Sequence, residues 1–127
     1  MNALQTRLWD ELARIPGMLE GESVFSHGPA YWVNGKQVAH FVDEERLELR
    51  LTKSVIREMR AELKADPRVE QRTSGSDWII VRAGGEADVA FLVSLAERAA
   101  GAHLPPDGTA PKAPPIGADL ERRRRFH

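Results

Sequence analysis

His40 is the residue of this 127-residue chain best suited to proton chemistry, and it sits inside an apolar run, Lys36–Val42. An imidazole there could serve as a general acid or base, or as a polar donor lining a pocket, because it titrates near neutral pH. No second histidine or carboxylate stands at ligand spacing from it, so the preferred reading is a buried or half-buried histidine satisfied by one hydrogen bond. Strict alternation puts His40 on a face with Val38 and Val42, with Ala39 and Phe41 opposite. His27 precedes Gly28-Pro29 in what should be a turn, and is expected to be exposed. No metal site is expected, and the absence of cysteine removes thiolate ligands and nucleophiles.

The second set is cationic. Arg46, Glu48 and Arg50 alternate with Leu47, Leu49 and Leu51, so the leucines face inward and the charged residues outward. With Arg72 and Arg82 they would form an exposed sheet face, either a solvated mixed-charge surface or a surface for an anion. The candidate ligand-binding residues are therefore His40, Trp32, Glu48, Arg50 and Arg82, with no catalytic residue and no cofactor assigned. Ser76-Asp77-Trp78 enters a strand from a turn. No histidine lies near in sequence to activate the serine, so a turn-bonding role is preferred. Gly84-Gly85 opens a helix and is the nearest approach to a phosphate cradle, but tight packing is the favoured account.

These residues must be placed by regular elements. Leu4, Leu8, Leu12 and Ile15 share one helical face, with Asn2 as N-cap and Pro16-Gly17 as the stop. A second helix follows Thr52 and ends before Asp66-Pro67. A third runs from Gly84-Gly85 to Gly101, with Glu86 and Asp88 in its first turn. Asn34-Gly35 between Tyr31-Trp32-Val33 and Lys36–Val42 is a strong hairpin signal. Arg46–Leu51, Val69–Arg72 and Trp78–Arg82 read as further strands, and Ser23–Ser26 as a weaker one. The order α-β-β-β-α-β-β-α predicts an α+β two-layer sandwich, a mainly antiparallel sheet of about five strands with helices on one face.

Composition bounds the rest. The chain has room for one hydrophobic core. Its 18 basic and 19 acidic side chains leave a formal charge of −1, which gives no overall attraction to nucleic acid or acidic lipid. No apolar run is long enough to span a membrane, and no export signal is evident, so a cytoplasmic setting is expected. Five of the eight prolines lie after Gly101. Residues 1–103 therefore read as a single domain, and 104–127 as a flexible Pro-rich tail ending in Arg122, Arg123, Arg124 and Arg125. That arginine run would attract nucleic acid weakly at most.

Four stretches, Gly28-Pro29-Ala30-Tyr31-Trp32-Val33, Ala39-His40-Phe41, Leu47-Glu48-Leu49-Arg50-Leu51-Thr52 and Ser74-Gly75-Ser76-Asp77-Trp78, resemble the small bacterial "luciferase family" or luciferase-domain proteins of unknown function. The resemblance spans about Gly21 to Ala102 and brings no catalytic residue with it. It does not imply the flavin-dependent luciferase barrel, an architecture of about 250 residues. The functional expectation is a non-enzymatic binding or accessory module for an unknown small molecule or protein, with a homodimer among the open alternatives. An enzyme acting on a small anionic substrate near His40 is the second reading. Weak nucleic-acid binding through the arginine face and tail is the third.

Overall fold

A computed structural model describes residues 1–71 and 75–126. Its elements in chain order are α1 (Ala3–Leu12), β1 (Leu19–Glu22), β2 (Pro29–Val33), β3 (Lys36–Phe41), β4 (Arg46–Arg50), α2 (Lys53–Glu58), α3 (Arg60–Ala65), β5 (Val69–Gln71), β6 (Trp78–Arg82), α4 (Val89–His103) and α5 (Gly117–Arg125). The strands form one antiparallel sheet in the order β1-β2-β3-β4-β6-β5. β4 and β5 both run antiparallel to β6 and hence parallel to each other. Strands so related cannot be joined by a tight turn, and the α2–α3 segment supplies the longer connection.

One face of the sheet is the core. Leu47, Leu49, Ile79 and Val81 point to it with Tyr31, Val33 and Ala39, and meet Leu8, Leu12, Leu92, Leu95 and Ala96 from the helices. Asn2 and Gln5 close a reciprocal capping box that starts α1. Asn34 and Gly35 both take positive φ, 49° and 77°, as a two-residue hairpin turn between β2 and β3 requires.

The sheet has six strands where about five were expected. The first strand is Leu19–Glu22, and Ser23–Ser26 is a loop beyond it. The long second helix is two, broken at Met59, whose ψ of 11° lies outside the helical range. Arg72 and the turn residues Thr73 and Ser74 lie outside the described residues. Among the described residues no helix is long and apolar enough to cross a membrane.

The largest departure concerns the segment after His103. A flexible tail was expected there, yet the segment lies against the sheet and ends in helix α5. Leu120 is 2% exposed. The Arg123 guanidinium donates to the Gly35 carbonyl at 2.9 Å, and Arg124 donates to the Ser23 carbonyl at 3.0 Å. Lys112 N–H donates to the Asn34 side chain at 3.0 Å. Gly21 makes the fit, because a Cβ there would stand 2.9 Å from Pro114 and 3.1 Å from the Trp32 ring. Low apolar content argued for disorder only if the segment had to build its own core. Here it borrows a surface that the sheet already presents.

Arg68 ties the start of β5 to the start of α4. It bonds Asp66 at 2.8 Å and Asp88 at 3.1 Å, with its guanidinium 3.8 Å from the Phe91 ring centroid. The side-chain bond from Arg68, then the Arg68 backbone N–H, hold the Asp66 carboxyl below its ordinary 3.8. For Asp88 burial pushes upward, but the Gly84 N–H, Arg68 and the Gly85 N–H outweigh it and the net shift is downward. Depressed carboxyls contribute stability above their unfolded value of about 3.8 and lose it as pH falls through the folded value. Urea midpoints taken from roughly pH 6 to pH 2 should therefore fall steeply below about pH 4, and less steeply in Arg68→Met. Identical acid limbs in the two proteins would contradict this brace.

Candidate functional site

The site lies on the sheet face turned away from α1 and α4, and an irregularity in β3 creates it. Tyr31 pairs with Ala39, but Trp32 pairs with Gln37, so Val38 is one residue too many between them. This β-bulge resets the alternation. Val38 turns into the core, and Gln37 and His40 come onto the same face although they are three residues apart. The expectation that His40 shares a face with Val38 is corrected on this point.

Gln37, His40, Ser23 and Glu48 form a buried polar chain, with relative exposures of 3%, 5%, 0% and 4%. The Gln37 side-chain oxygen accepts from Val24 N–H at 2.8 Å, which fixes the orientation of the amide. Its Nε2 then donates to Ser23 Oγ at 2.9 Å and to His40 Nδ1 at 3.0 Å. Because Nδ1 is an acceptor, the proton of the neutral ring sits on Nε2, which donates to Glu48 Oε1 at 3.1 Å. Both ring nitrogens are thus committed inside the protein. Phe25 stacks on the imidazole with centroids 4.9 Å apart, and Trp78 meets both rings edge-on.

Phe25 separates two hollows. One, of about 340 Å³, borders His40, Glu48, Val42 and Ile80. The other, of about 280 Å³, lies between the β2–β3 turn, β4 and α5, and is lined in part by Trp32, Lys36, Gln37, Arg50, Arg123 and Phe126. The Arg50 guanidinium lies 4.9 Å from the Trp78 ring centroid, and its buried Nε has no hydrogen-bond partner. Burial pulls the Arg50 guanidinium below its ordinary value, against the attraction of Asp77. His103 is lowered first by burial. The Ala99 carbonyl opposes the shift, Arg50 and Lys36 add to it, and Asp77 resists it.

Of the residues singled out by sequence, the structure brings Trp32, His40, Glu48 and Arg50 to this one face. Glu48 is not the solvated sheet-face carboxylate that alternation alone suggests, because Phe25 and its loop cover that part of the face. Arg82 is placed elsewhere. It pairs with Glu45 at 3.0 Å, opposite Arg46, which pairs with Asp43 at 2.7 Å. Four residues along β4 put that end about 13 Å from Arg50. His27 is exposed. Ser76 Oγ accepts from Trp78 N–H, and Asp77 accepts from Lys53 N–H, so both bond backbone. The Gly84 and Gly85 N–H groups are taken by Asp88 Oδ2 at 2.9 and 3.1 Å, which fills that cradle with the chain's own carboxylate. Sequence reasoning missed Gln37, Ser23, Phe25, Lys36 and Arg123 as neighbours of the site. Only the Arg122–Arg125 run gave any sign of the last.

An antiparallel six-stranded sheet with α1 and α4 packed on one face, and on the other a buried His-Glu pair and an arginine-lined hollow walled by α5, define a small α+β protein with a candidate ligand-binding face. The Luciferase domain model matches residues 35–99, and the chain belongs to that family. The match begins at Gly35 of the hairpin turn and takes in Gln37, His40, Glu48, Arg50 and Trp78. No curated protein and no solved structure gives a match.

Proposed function

We propose that this protein is a non-enzymatic binding module that takes a small molecule in the hollow between Trp32, Phe25 and Arg50. One observation carries the reading. His40, the strongest candidate acid or base, has both ring nitrogens engaged by Gln37 and Glu48. A general base needs a lone pair within reach of a substrate proton. Here the Nδ1 lone pair is spent on an amide held in place by Val24, so the imidazole acts by fixing Gln37, which lines the hollow. The hollow beside it joins aromatic surface to polar donors, the usual character of a small-ligand site. The arginines at the far end of the sheet face, Arg46 and Arg82, are paired with Asp43, Glu45 and Glu70. That pairing favours a small ligand over a nucleic acid. A cytoplasmic setting completes the proposal and is consistent with a chain without cysteine.

A fragment screen followed by ¹⁵N–¹H NMR tests this directly. Shifts are expected to cluster at Val24, the Trp32 indole, Lys36, Gln37 and Arg50. The His40 ring should keep the proton on Nε2 with ligand bound, and hits should be recovered unchanged. Conversion of a hit into product, or a switch of the His40 tautomer on binding, would overturn the non-enzymatic reading.

A further inference from the structure

We infer that the hollow beside Trp32 takes a small planar organic anion, a single ring bearing one carboxylate or phosphate, with Arg50 as its anchor. The inference rests on the binding reading above and adds the chemical class of the ligand. Its first support is charge. Lys36, Arg50 and Arg123 line the hollow, and among the described residues no acidic side chain does. Among the described residues neither Lys36 nor Arg50 has an ion pair, whereas Arg46, Arg68 and Arg82 all do. Asp77 attracts Arg50 from outside ion-pair range, and its carboxylate accepts from the Lys53 N–H at 3.0 Å.

The second support is the state of Arg50 itself. A buried guanidinium nitrogen without an acceptor is costly, and folded chains normally supply one. Among the described residues none accepts from it and none pairs with the guanidinium, so Arg50 brings an uncompensated charge to the hollow. An anion entering the hollow would pair with the Arg50 guanidinium as a whole, which lines the hollow and has no ion pair among the described residues, and a guanidinium fork suits a carboxylate or phosphate. The third support is shape. Phe25 and Phe126, both exposed, offer apolar surface beside the cations, with the buried Trp32 ring behind them and its centroid 5.8 Å from the Arg123 guanidinium. About 280 Å³ is at the small end for ligand sites, which suits one ring and its anionic group rather than a nucleotide.

Benzoate, phenyl phosphate, inorganic phosphate and uncharged benzyl alcohol separate the alternatives, titrated against the full chain with the Trp32 indole signal as readout. Benzoate or phenyl phosphate should bind saturably and at least about tenfold more tightly than benzyl alcohol or inorganic phosphate. Arg50→Met should lose about tenfold or more in affinity while its urea midpoint stays level or rises, since it removes an uncompensated buried charge. Should that variant fold poorly, Lys36→Gln at an exposed position should still weaken binding several-fold. Benzyl alcohol binding as tightly as benzoate at the same signals would overturn the anion class and leave the binding module standing. Inorganic phosphate binding as tightly as phenyl phosphate would overturn the ring. Unchanged affinity in both variants would overturn the assigned anchor. No saturable shift at Trp32 from any of the four would overturn this inference and the binding reading together.

Discussion

Glu48→Ala is expected to lower the unfolding free energy by about 3 kcal/mol, as much as a typical buried Leu→Ala change. Glu48 is 4% exposed, and its carboxyl accepts the Nε2 proton of an equally buried His40. Truncation removes the acceptor and leaves the Nε2 N–H of a 5% exposed imidazole without its protein partner. A group left unsatisfied in this way costs about 1–3 kcal/mol beyond the bond itself. Were Glu48 the exposed cross-strand partner that alternation suggests, the loss would be only about 0.2–1 kcal/mol. Leu49→Ala, one residue along β4 and fully buried on the opposite face, provides the internal standard at about 2–5 kcal/mol. Urea melts of the two variants decide between the outcomes. A double-mutant cycle with His40→Ala should return a coupling of about 1–3 kcal/mol. A Glu48→Ala loss under about 1 kcal/mol would mean that the pair does not hold this face together.

Removing residues 104–127 should cost about 2–4 kcal/mol and expose Trp32 to water. Leu120 is buried, and a Leu side chain withdrawn from water contributes about 1.5–3 kcal/mol. Arg123 and Arg124 add bonds to the Gly35 and Ser23 carbonyls, and Pro114 packs at Gly21 beside the Trp32 ring. Ordering the segment offsets part of that gain, which keeps the net effect in single figures. Leu120→Ala should reproduce about half of the loss without shortening the chain. The measurements are urea midpoints and the emission maximum of Trp32, read in Trp9→Phe/Trp78→Phe background. A truncated chain as stable as the whole, with unshifted emission, would return the segment to the status of a loose arm. The Arg123 contribution to the ligand hollow would fall with it.

The residues that specify local geometry were legible in the sequence because their signals are local. Asn34-Gly35 demands positive φ at two successive positions, and only one kind of turn uses that. Arg46–Leu51 alternates without a break, so its leucines could face only a core. Asn2 and Gln5 cap α1 within a single turn, and the apolar spacing of α4 needs no partner to be recognised. These signals were enough for an α+β sandwich with helices on one face.

What the sequence left open depended on surfaces that only the folded chain creates. Leu19–Glu22 has little apolar pattern and is a strand because β2 offers it an edge to pair with. Gln37 reaches His40 through a one-residue slip against β2, and slips of register carry no signature in either strand alone. Glu48 reads as solvated from its own strand. It is buried because the loop after β1 lays Phe25 over its histidine partner. Residues 104–126 are too polar and too rich in proline to form a core, yet they need none once the sheet presents Trp32 and the Gly35 and Ser23 carbonyls as a docking surface. Local propensity and periodicity therefore determined the elements and the core face. Long-range pairing decided the other face, because the partners of each residue there come from strands and loops distant in the chain.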